Sequence, residues 1–243
     1  MQGIVYIHVP KCGGSSFGAA LRLRFIYSQS TINLAQSGAA VATQHPGARG
    51  PDASVEDRII ADYDQRRRDL ARLMGRGVRC ISGHVRYDAD LHAQAGRDYA
   101  FVTLLRDPVD RFVSHYHYLQ RRHPNPARPD TLDRFLDTKD AARIASQYLF
   151  YFGGHSQDHS PDLPHTIRKA QSALARFDLI GDLSNPTGFV QNLRRLTGGP
   201  LPWLHRNRAP VAAPVPPDLR QRITALCAPD IAIYQSAKKK MAA

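Results

Sequence analysis

The sequence predicts an α/β protein in which a central, mostly parallel sheet is flanked by helices. Short apolar runs rich in β-branched residues, typical of buried strands, alternate along the chain with stretches whose apolar residues recur at helical spacing. The first run, residues 3–9, leads through a glycine-containing loop into a stretch of helical periodicity at 17–25. Strands that alternate with helices in this way predict a parallel sheet.

Four runs are predicted to be strands, and a shorter one is a candidate for a fifth. The four lie at residues 3–9, 78–82, 99–105 and 177–181. Residues 31–34 fit a short additional strand, inside a segment from 27 to 53 that we interpret as an insertion. Polar, proline-containing loops are predicted at 121–130 and 153–164.

The predicted helices follow from apolar periodicity and from residues that favour helix ends. Ser54 is the predicted N-cap of a long helix that ends at Gly75 and Gly77. Asp107 as N-cap and Pro108 at the first helical position predict a second start, directly after the preceding strand. The remaining predicted helices lie at residues 131–137, 140–151, 165–176, 187–197, 217–227 and 230–240.

Length and composition predict a single domain, residues 1–243, in a reducing compartment. A chain of 243 residues can bury one substantial core. It has no apolar run long enough to span a membrane and no secretory leader pattern. The cysteines Cys12, Cys80 and Cys227 show neither metal-site spacing nor a disulfide framework. We therefore expect a cytoplasmic protein without a metal site built from these cysteines.

The charge balance predicts an anionic partner. The formal net charge is +12 at pH 7, and the arginines are spread along the whole chain. Such a charge suits a nucleotide, a polyanion or an acidic surface. Nucleic acid is a minor alternative, because no recognition module with interleaved aromatic residues or zinc-ligand spacing is present in the sequence.

The loop at residues 10–16, Pro-Lys-Cys-Gly-Gly-Ser-Ser, has the chemistry of an anion site. Glycines let backbone N–H groups approach a ligand, the following helix start carries partial positive charge, and Lys11 adds a full charge. A tight turn with a helix N-cap explains the same residues without a ligand. The lysine precedes the glycines, whereas it follows them in the G-x-x-x-x-G-K-[ST] loop of nucleoside triphosphatases.

His84 follows the predicted strand at 78–82. Ligands of α/β sheets collect at the carboxyl ends of the strands, so this histidine is a candidate for catalysis. A loop histidine that bonds to backbone is the alternative, since the chain has 11 histidines.

Arg106 and Ser114 flank the predicted helix start at Asp107. Arg106 ends a strand, and Ser114 lies about two turns into the helix, so both side chains can reach one anion. In the alternative interpretation, Arg106 pairs with Asp107 or Asp110, and Ser114 bonds back to its own helix.

Two of these segments resemble the motifs of one enzyme family. Residues 7–17 resemble the 5′-phosphosulfate loop of sulfotransferases that use 3′-phosphoadenosine 5′-phosphosulfate (PAPS), and residues 105–116 look like their 3′-phosphate motif. The form of the loop is that of the carbohydrate branch related to heparan and chondroitin uronyl 2-O-sulfotransferases. His84 stands where that branch has its catalytic histidine. Ser82 stands where the uronyl enzymes often have the first histidine of His-Gly-His.

The resemblance implies a P-loop-type three-layer fold, PAPS as co-substrate without a metal, and a role for each matching residue. Lys11 and His84 would be catalytic, with His84 as the general base in an in-line displacement at sulfur. The acceptor would be a hydroxyl, on a glycan or glycoconjugate by the branch resemblance. The cofactor-binding residues would be Lys11, Cys12, Gly13, Gly14, Ser15 and Ser16 for the phosphosulfate, Arg106 and Ser114 for the 3′-phosphate, and Arg206, Asn207 and Arg208 from a late basic loop.

Two other functions stay open on the sequence alone. A nucleotide-dependent kinase would need a magnesium-binding carboxylate near the loop and a lysine after the glycines. A non-catalytic module that binds anionic glycans would keep the basic surface but would need neither a nucleotide nor His84.

Overall fold

The computed structural model describes residues 2–45, 47, 54–155, 159–202 and 214–242, with only the backbone of Ser15 and Ala242. Within these residues five parallel strands form one sheet in the order β2-β3-β1-β4-β5. The strands are β1 Gly3–Ile7, β2 Gln29–Thr31, β3 Cys80–Gly83, β4 Tyr99–Leu105 and β5 Leu179–Asp182. The predicted α/β fold with a central parallel sheet is confirmed.

β1 lies at the centre of the sheet. Ile4 is aligned with Cys80 of β3 on one side and with Ala100 of β4 on the other. Every residue of β1 and β4 is buried, as expected for strands covered on both faces. The segments that follow β1, β3 and β4 therefore leave the sheet at the same edge and side by side.

Helices cover both faces of the sheet, which gives three layers. The long helices are α1 Gly14–Arg24, α2 Leu34–Gln44, α3 Val55–Gly75, α5 Pro108–Arg122, α8 Leu163–Ala175, α9 Pro186–Thr197, α10 Pro217–Leu226 and α11 Ala228–Ala242. The short ones are α4 Ala89–Ala95, α6 Leu132–Phe135 and α7 Lys139–Ala145, and a π-helical turn spans Leu149–Gly153. None of these helices is long and apolar enough to cross a membrane.

Alternate side chains of β1 pack into different halves of the core. Ile4 and Tyr6 pack in a cluster with residues of α1 and α9. Val5 and Ile7 pack in a second cluster, with residues of α3, α8 and α11. This alternation is the period of two that a strand imposes, and it holds β1 between the two helical layers.

The described part of the predicted insertion, residues 27–45 and 47, contains a strand and a helix. Its first part supplies the edge strand β2, two residues earlier than the predicted strand at 31–34, and then α2. The Asn33 side chain accepts from the N–H groups of Ala35 and Gln36 and so caps α2. Ser37 of α2 then donates to Asp69 of α3 at 2.8 Å.

The predicted helix at 140–151 is wrong in its second half. α7 ends at Ala145, and the chain then tightens into the π-helical turn. The cause is a distant carboxylate: buried Asp230 accepts from the backbone N–H groups of Tyr148 at 2.8 Å and Leu149 at 2.9 Å.

The helix α4 was not predicted at all, although the Asp88 side chain caps it by accepting from the N–H of Leu91.

Candidate active site

The loop after β1 turns in the left-handed region at two positions. Lys11 has φ 66° and Gly13, the N-cap of α1, has φ 74°. A Cβ on Gly14 would lie only 1.9 Å from Nε2 of His8, so the glycine backbone lies directly against the imidazole ring. Gly13 offers α1 no side-chain cap. The glycines are thus required by the turn and by the packed histidine, and no N-cap side chain stands between the helix start and a ligand.

Lys11 contacts the helix that follows β4. Its Nζ lies 4.3 Å from the ring centroid of Tyr118 on α5, an arrangement typical of a cation–π contact. Burial lowers the pKa of Lys11, and the positive charges of Arg121 and Arg106 lower it further. The loop after β1 and the segment after β4 therefore form one basic cluster.

The structure does not show the alternative ion pairs of Arg106. The Asp107 side chain accepts from the N–H groups of Val109 and Asp110, and Asp110 pairs with Arg220 at 3.3 Å. Among the described residues, Arg106 makes no ion pair, and the Ser114 hydroxyl makes no hydrogen bond to its helix or elsewhere. Both side chains remain available to a ligand.

Tyr148 fixes the backbone of Arg106. The N–H of Arg106 donates to the Tyr148 hydroxyl at 2.8 Å, and that hydroxyl donates to the Arg106 carbonyl oxygen at 2.5 Å. The Tyr148 hydroxyl also lies 3.5 Å from Sγ of Cys12. This side chain, which sequence reasoning missed, ties the end of β4 to the loop after β1.

His84 leaves the end of β3 and stacks on His8, with ring centroids 4.4 Å apart. Its Nδ1 lies 2.7 Å from the carbonyl oxygen of His8 and 3.3 Å from the hydroxyl of Tyr151. Burial lowers the pKa of His84, and the charge of Arg66 lowers it as well, while the bond to His8 acts in the opposite direction. At neutral pH the imidazole is therefore neutral and able to accept a proton.

A second histidine of this region, His115 on α5, was not predicted. Burial, followed by the charges of Arg111, Lys11 and His84, lowers its pKa to about 3. The ring lies beside Tyr118, the same side chain that contacts Lys11. The helical spacing of residues 111, 115 and 118 is the sequence signal that places these side chains on one face.

The remaining predicted site residues divide into three cases. Cys12 is fully buried, and burial raises the pKa of its thiol, so any ligand contact from Cys12 comes from its backbone. Ser16 is partly buried at the start of α1, and the side chain of Ser15 is not described. Arg206, Asn207 and Arg208, predicted to complete the nucleotide site, lie outside the described residues.

A cavity of about 360 Å³ lies beside Tyr63 of α3. It is lined by Ile60, Tyr63, Arg67, Arg86, Tyr87, Asp88, Gly154, His155 and Lys169. Tyr63 connects it to His84, because the Tyr63 and Tyr151 hydroxyls are 2.7 Å apart and Tyr151 reaches Nδ1 of His84. Arg86 pairs with Asp64 at 2.6 Å, and Arg67 pairs with Asp88. The walls thus combine two tyrosine rings with several cations.

A comparison with models of protein families agrees with the motifs. A family model described as the sulfotransferase family matches residues 1–235. Among solved structures, a sulfotransferase from Alicyclobacillus acidocaldarius is similar over all of this chain and 96% of that chain, with 16% identity and a TM-score of 0.49. No curated protein matches the sequence.

Proposed function

Because this chain belongs to the sulfotransferase family, we propose that it transfers a sulfuryl group from PAPS to a hydroxyl group of an acceptor. One observation supports this proposal most strongly. Lys11 of the first motif has its Nζ 4.3 Å from the ring centroid of Tyr118 on α5, the helix that begins directly after Arg106 and Asp107 in the second motif. His84 lies at the same edge of the sheet, stacked on the histidine that packs against Gly14.

The described residues fit PAPS. When bound, PAPS supplies an activated sulfuryl group whose leaving group is a 5′-phosphate. The backbone of Gly13 and Gly14 and the start of α1 would hold the 5′-phosphosulfate, as helix N-termini hold anions. Arg106 and Ser114, both without partners among the described residues, would hold the 3′-phosphate. Arg206, Asn207 and Arg208 are proposed to complete this site.

His84 is proposed to act as the general base. The backbone carbonyl of His8 can only accept, so Nδ1 of neutral His84 carries the proton, and the lone pair is on Nε2. That nitrogen would take the proton of the acceptor hydroxyl as the new oxygen–sulfur bond forms. Lys11 would stabilise the negative charge that develops on the leaving oxygen.

The acceptor is proposed to be a carbohydrate or a glycoconjugate. Besides the motifs typical of the carbohydrate branch, the cavity beside Tyr63 supports this assignment. Tyrosine rings can stack on sugar rings, while Arg86 and Lys169 can donate hydrogen bonds to hydroxyl or acidic groups. Ser82, where the uronyl enzymes often have a histidine, is the main departure from that branch.

The test is sulfate transfer from ³⁵S-labelled PAPS to a panel of glycans and small hydroxyl compounds. We expect label in at least one glycan with the natural chain, and a large loss with Lys11→Ala, whose folding is checked by thermal unfolding. In parallel, 3′,5′-adenosine bisphosphate should raise the melting temperature, and ATP with magnesium should not. Stabilisation by ATP with magnesium alone would favour a kinase. Binding of glycans without any nucleotide binding would favour the non-catalytic module.

A further inference from the structure

His115 lies one residue after Ser114 and faces the basic cluster. Its ring centroid lies 6.4 Å from that of Tyr118, and Lys11 Nζ lies 4.3 Å from the same Tyr118 ring. The charge of Lys11 also contributes to the lowered pKa of His115. His115 therefore lies in the basic cluster, beside the same ring that the proposed leaving-group lysine contacts.

The two nitrogens of His115 differ in their surroundings. Nδ1 is fully enclosed and has no hydrogen-bond partner among the described residues. One helical turn earlier lies Arg111, which is fully buried and whose Nε and Nη1 are enclosed and unpaired as well. A proton on the enclosed Nδ1 of His115 would have no acceptor, and the positive charge of Arg111 would repel it. The lone pair therefore belongs on Nδ1. The proton of the neutral ring is then on Nε2.

The Nε2 atom of His115 is open to a ligand. It makes no hydrogen bond within the described part of the chain, and it is not among the enclosed unpaired atoms. The ring as a whole is only partly buried. The ring of His115 is enclosed at Nδ1, while the N–H on Nε2 stays open to a ligand. This N–H is therefore a preorganised donor.

From this arrangement we propose that His115 donates an Nε2–H hydrogen bond to a non-bridging oxygen of the sulfuryl group while it is transferred. The inference rests on the proposed function of the site and adds a second histidine that touches the reacting group. Its task differs from that of His84: His84 receives the acceptor proton, whereas His115 stays neutral and keeps its proton. Two titratable groups of one type thus take different roles because their environments differ.

The experiment compares three variants under single-turnover conditions with ³⁵S-labelled PAPS, with and without the acceptor panel. His115→Phe keeps a ring but removes the donor, and His115→Gln places an amide donor near the position of Nε2. His117→Phe on the same helix is the control, because neither Lys11 nor His84 acts on that histidine. The affinity of each variant for 3′,5′-adenosine bisphosphate, which lacks the sulfuryl group, is measured alongside.

We expect His115→Phe to slow release of label about 10²-fold, the effect of removing one preorganised donor. His115→Gln should recover at least a tenth of the natural rate, and His117→Phe should stay within twofold. Affinity for the bisphosphate should be unchanged in all three. The inference would be overturned if His115→Phe released label at the rate of the natural chain, or if His115→Gln released it as slowly as His115→Phe. A loss of bisphosphate affinity in step with the loss of rate would also overturn it. If the natural chain itself releases no label from PAPS, the proposed function fails, which is a distinct result.

Discussion

Nδ1 of His84 lies 2.7 Å from the backbone carbonyl oxygen of His8. This contact joins the end of β3 to the loop after β1, and it sets the tautomer of the imidazole because a carbonyl can only accept. The ring of His8 supports the same arrangement by stacking on His84 on one side and packing against the Gly14 backbone on another. The protein backbone, rather than a carboxylate, therefore orients the proposed base.

Replacing His84 by alanine should remove turnover and spare nucleotide binding. General-base catalysis contributes about 10²–10⁴-fold, so the rate of sulfate transfer should fall within that range. The dissociation constant for 3′,5′-adenosine bisphosphate, measured by calorimetry, should change less than threefold. His165→Ala, at an exposed position on α8, is the control. A variant at position 84 with near-natural transfer would rule out the base assignment.

Replacing Arg106 by alanine should abolish discrimination between nucleotides. Charge-assisted hydrogen bonds contribute about 1.5–3 kcal/mol, which corresponds to roughly 10–10² in affinity. We expect Arg106→Ala to lose that factor for 3′,5′-adenosine bisphosphate and almost none for 5′-AMP, which has no 3′-phosphate. The exposed Arg122 at the end of α5 supplies the control substitution. An equal loss for both nucleotides would show that Arg106 does not bind the 3′-phosphate.

Replacing either of two glycines of α1 by alanine should change the free energy of unfolding, with opposite signs at Gly14 and Gly18. At Gly14 the new Cβ would lie 1.9 Å from a ring that is already stacked on His84, and such overpacking costs about 1–3 kcal/mol. At Gly18 the nearest atom is the flexible end of Arg22, 3.2 Å away, and alanine improves helix propensity by up to about 1 kcal/mol. Urea unfolding of both variants tests this, and a Gly14→Ala protein as stable as Gly18→Ala would contradict the packing described.

The strands were predictable because they are continuous apolar runs. β1 and β4 lie within the predicted runs, β3 ends one residue after its run, and β5 is offset by two residues or fewer. Edge strand β2 has three residues with no buried side chain, so its sequence carries little of the apolar signal that marks the others. The start of α5 at Asp107 was also predictable, since its capping residues are local in the sequence.

Only the part of the candidate site that lies in local motifs could be predicted from the sequence. Lys11 and Arg106 lie in motifs whose strand, loop and helix are contiguous. Tyr148 directly precedes the π-helical turn and Tyr151 lies in it, and the position of this turn depends on Asp230, about eighty residues later. No local pattern encodes such a contact, so these side chains were found only in the folded chain.

Acid should destabilise the protein, in part because His115 takes up about one proton when the chain unfolds. The pKa of His115 falls to about 3 on folding, so unfolding takes up a proton between about pH 6.5 and 3. Stability is therefore fully present above pH 6.5 and is lost as the pH falls. His115→Phe should reduce the slope of unfolding free energy against pH by about 1.4 kcal/mol per pH unit between pH 6 and 4. Urea titrations at three pH values measure the slope, and identical slopes in the two proteins would refute the neutral state of His115 in the folded chain.

The buried pair of Arg111 and Asp230 should show strong coupling between its members. Their atoms Nη2 and Oδ2 are 3.4 Å apart with both side chains fully buried, and burial raises the pKa of Asp230 to about 6. Removing one partner of such a pair leaves an unpaired buried charge and costs about 3–5 kcal/mol. Asp230→Ala also removes the acceptor for the N–H of Tyr148, the residue that fixes Arg106.

We therefore expect Asp230→Ala to lower both stability and the preference for a 3′-phosphate, whereas Arg111→Met should lower stability with a smaller effect on that preference. The double variant Arg111→Met, Asp230→Ala should be less destabilised than the sum of the single changes, because no unpaired charge remains. Urea unfolding gives the coupling energy, and binding of 3′,5′-adenosine bisphosphate relative to 5′-AMP gives the preference. Additive stabilities together with an unchanged preference in Asp230→Ala would show that the pair neither holds the π-helical turn nor positions Arg106.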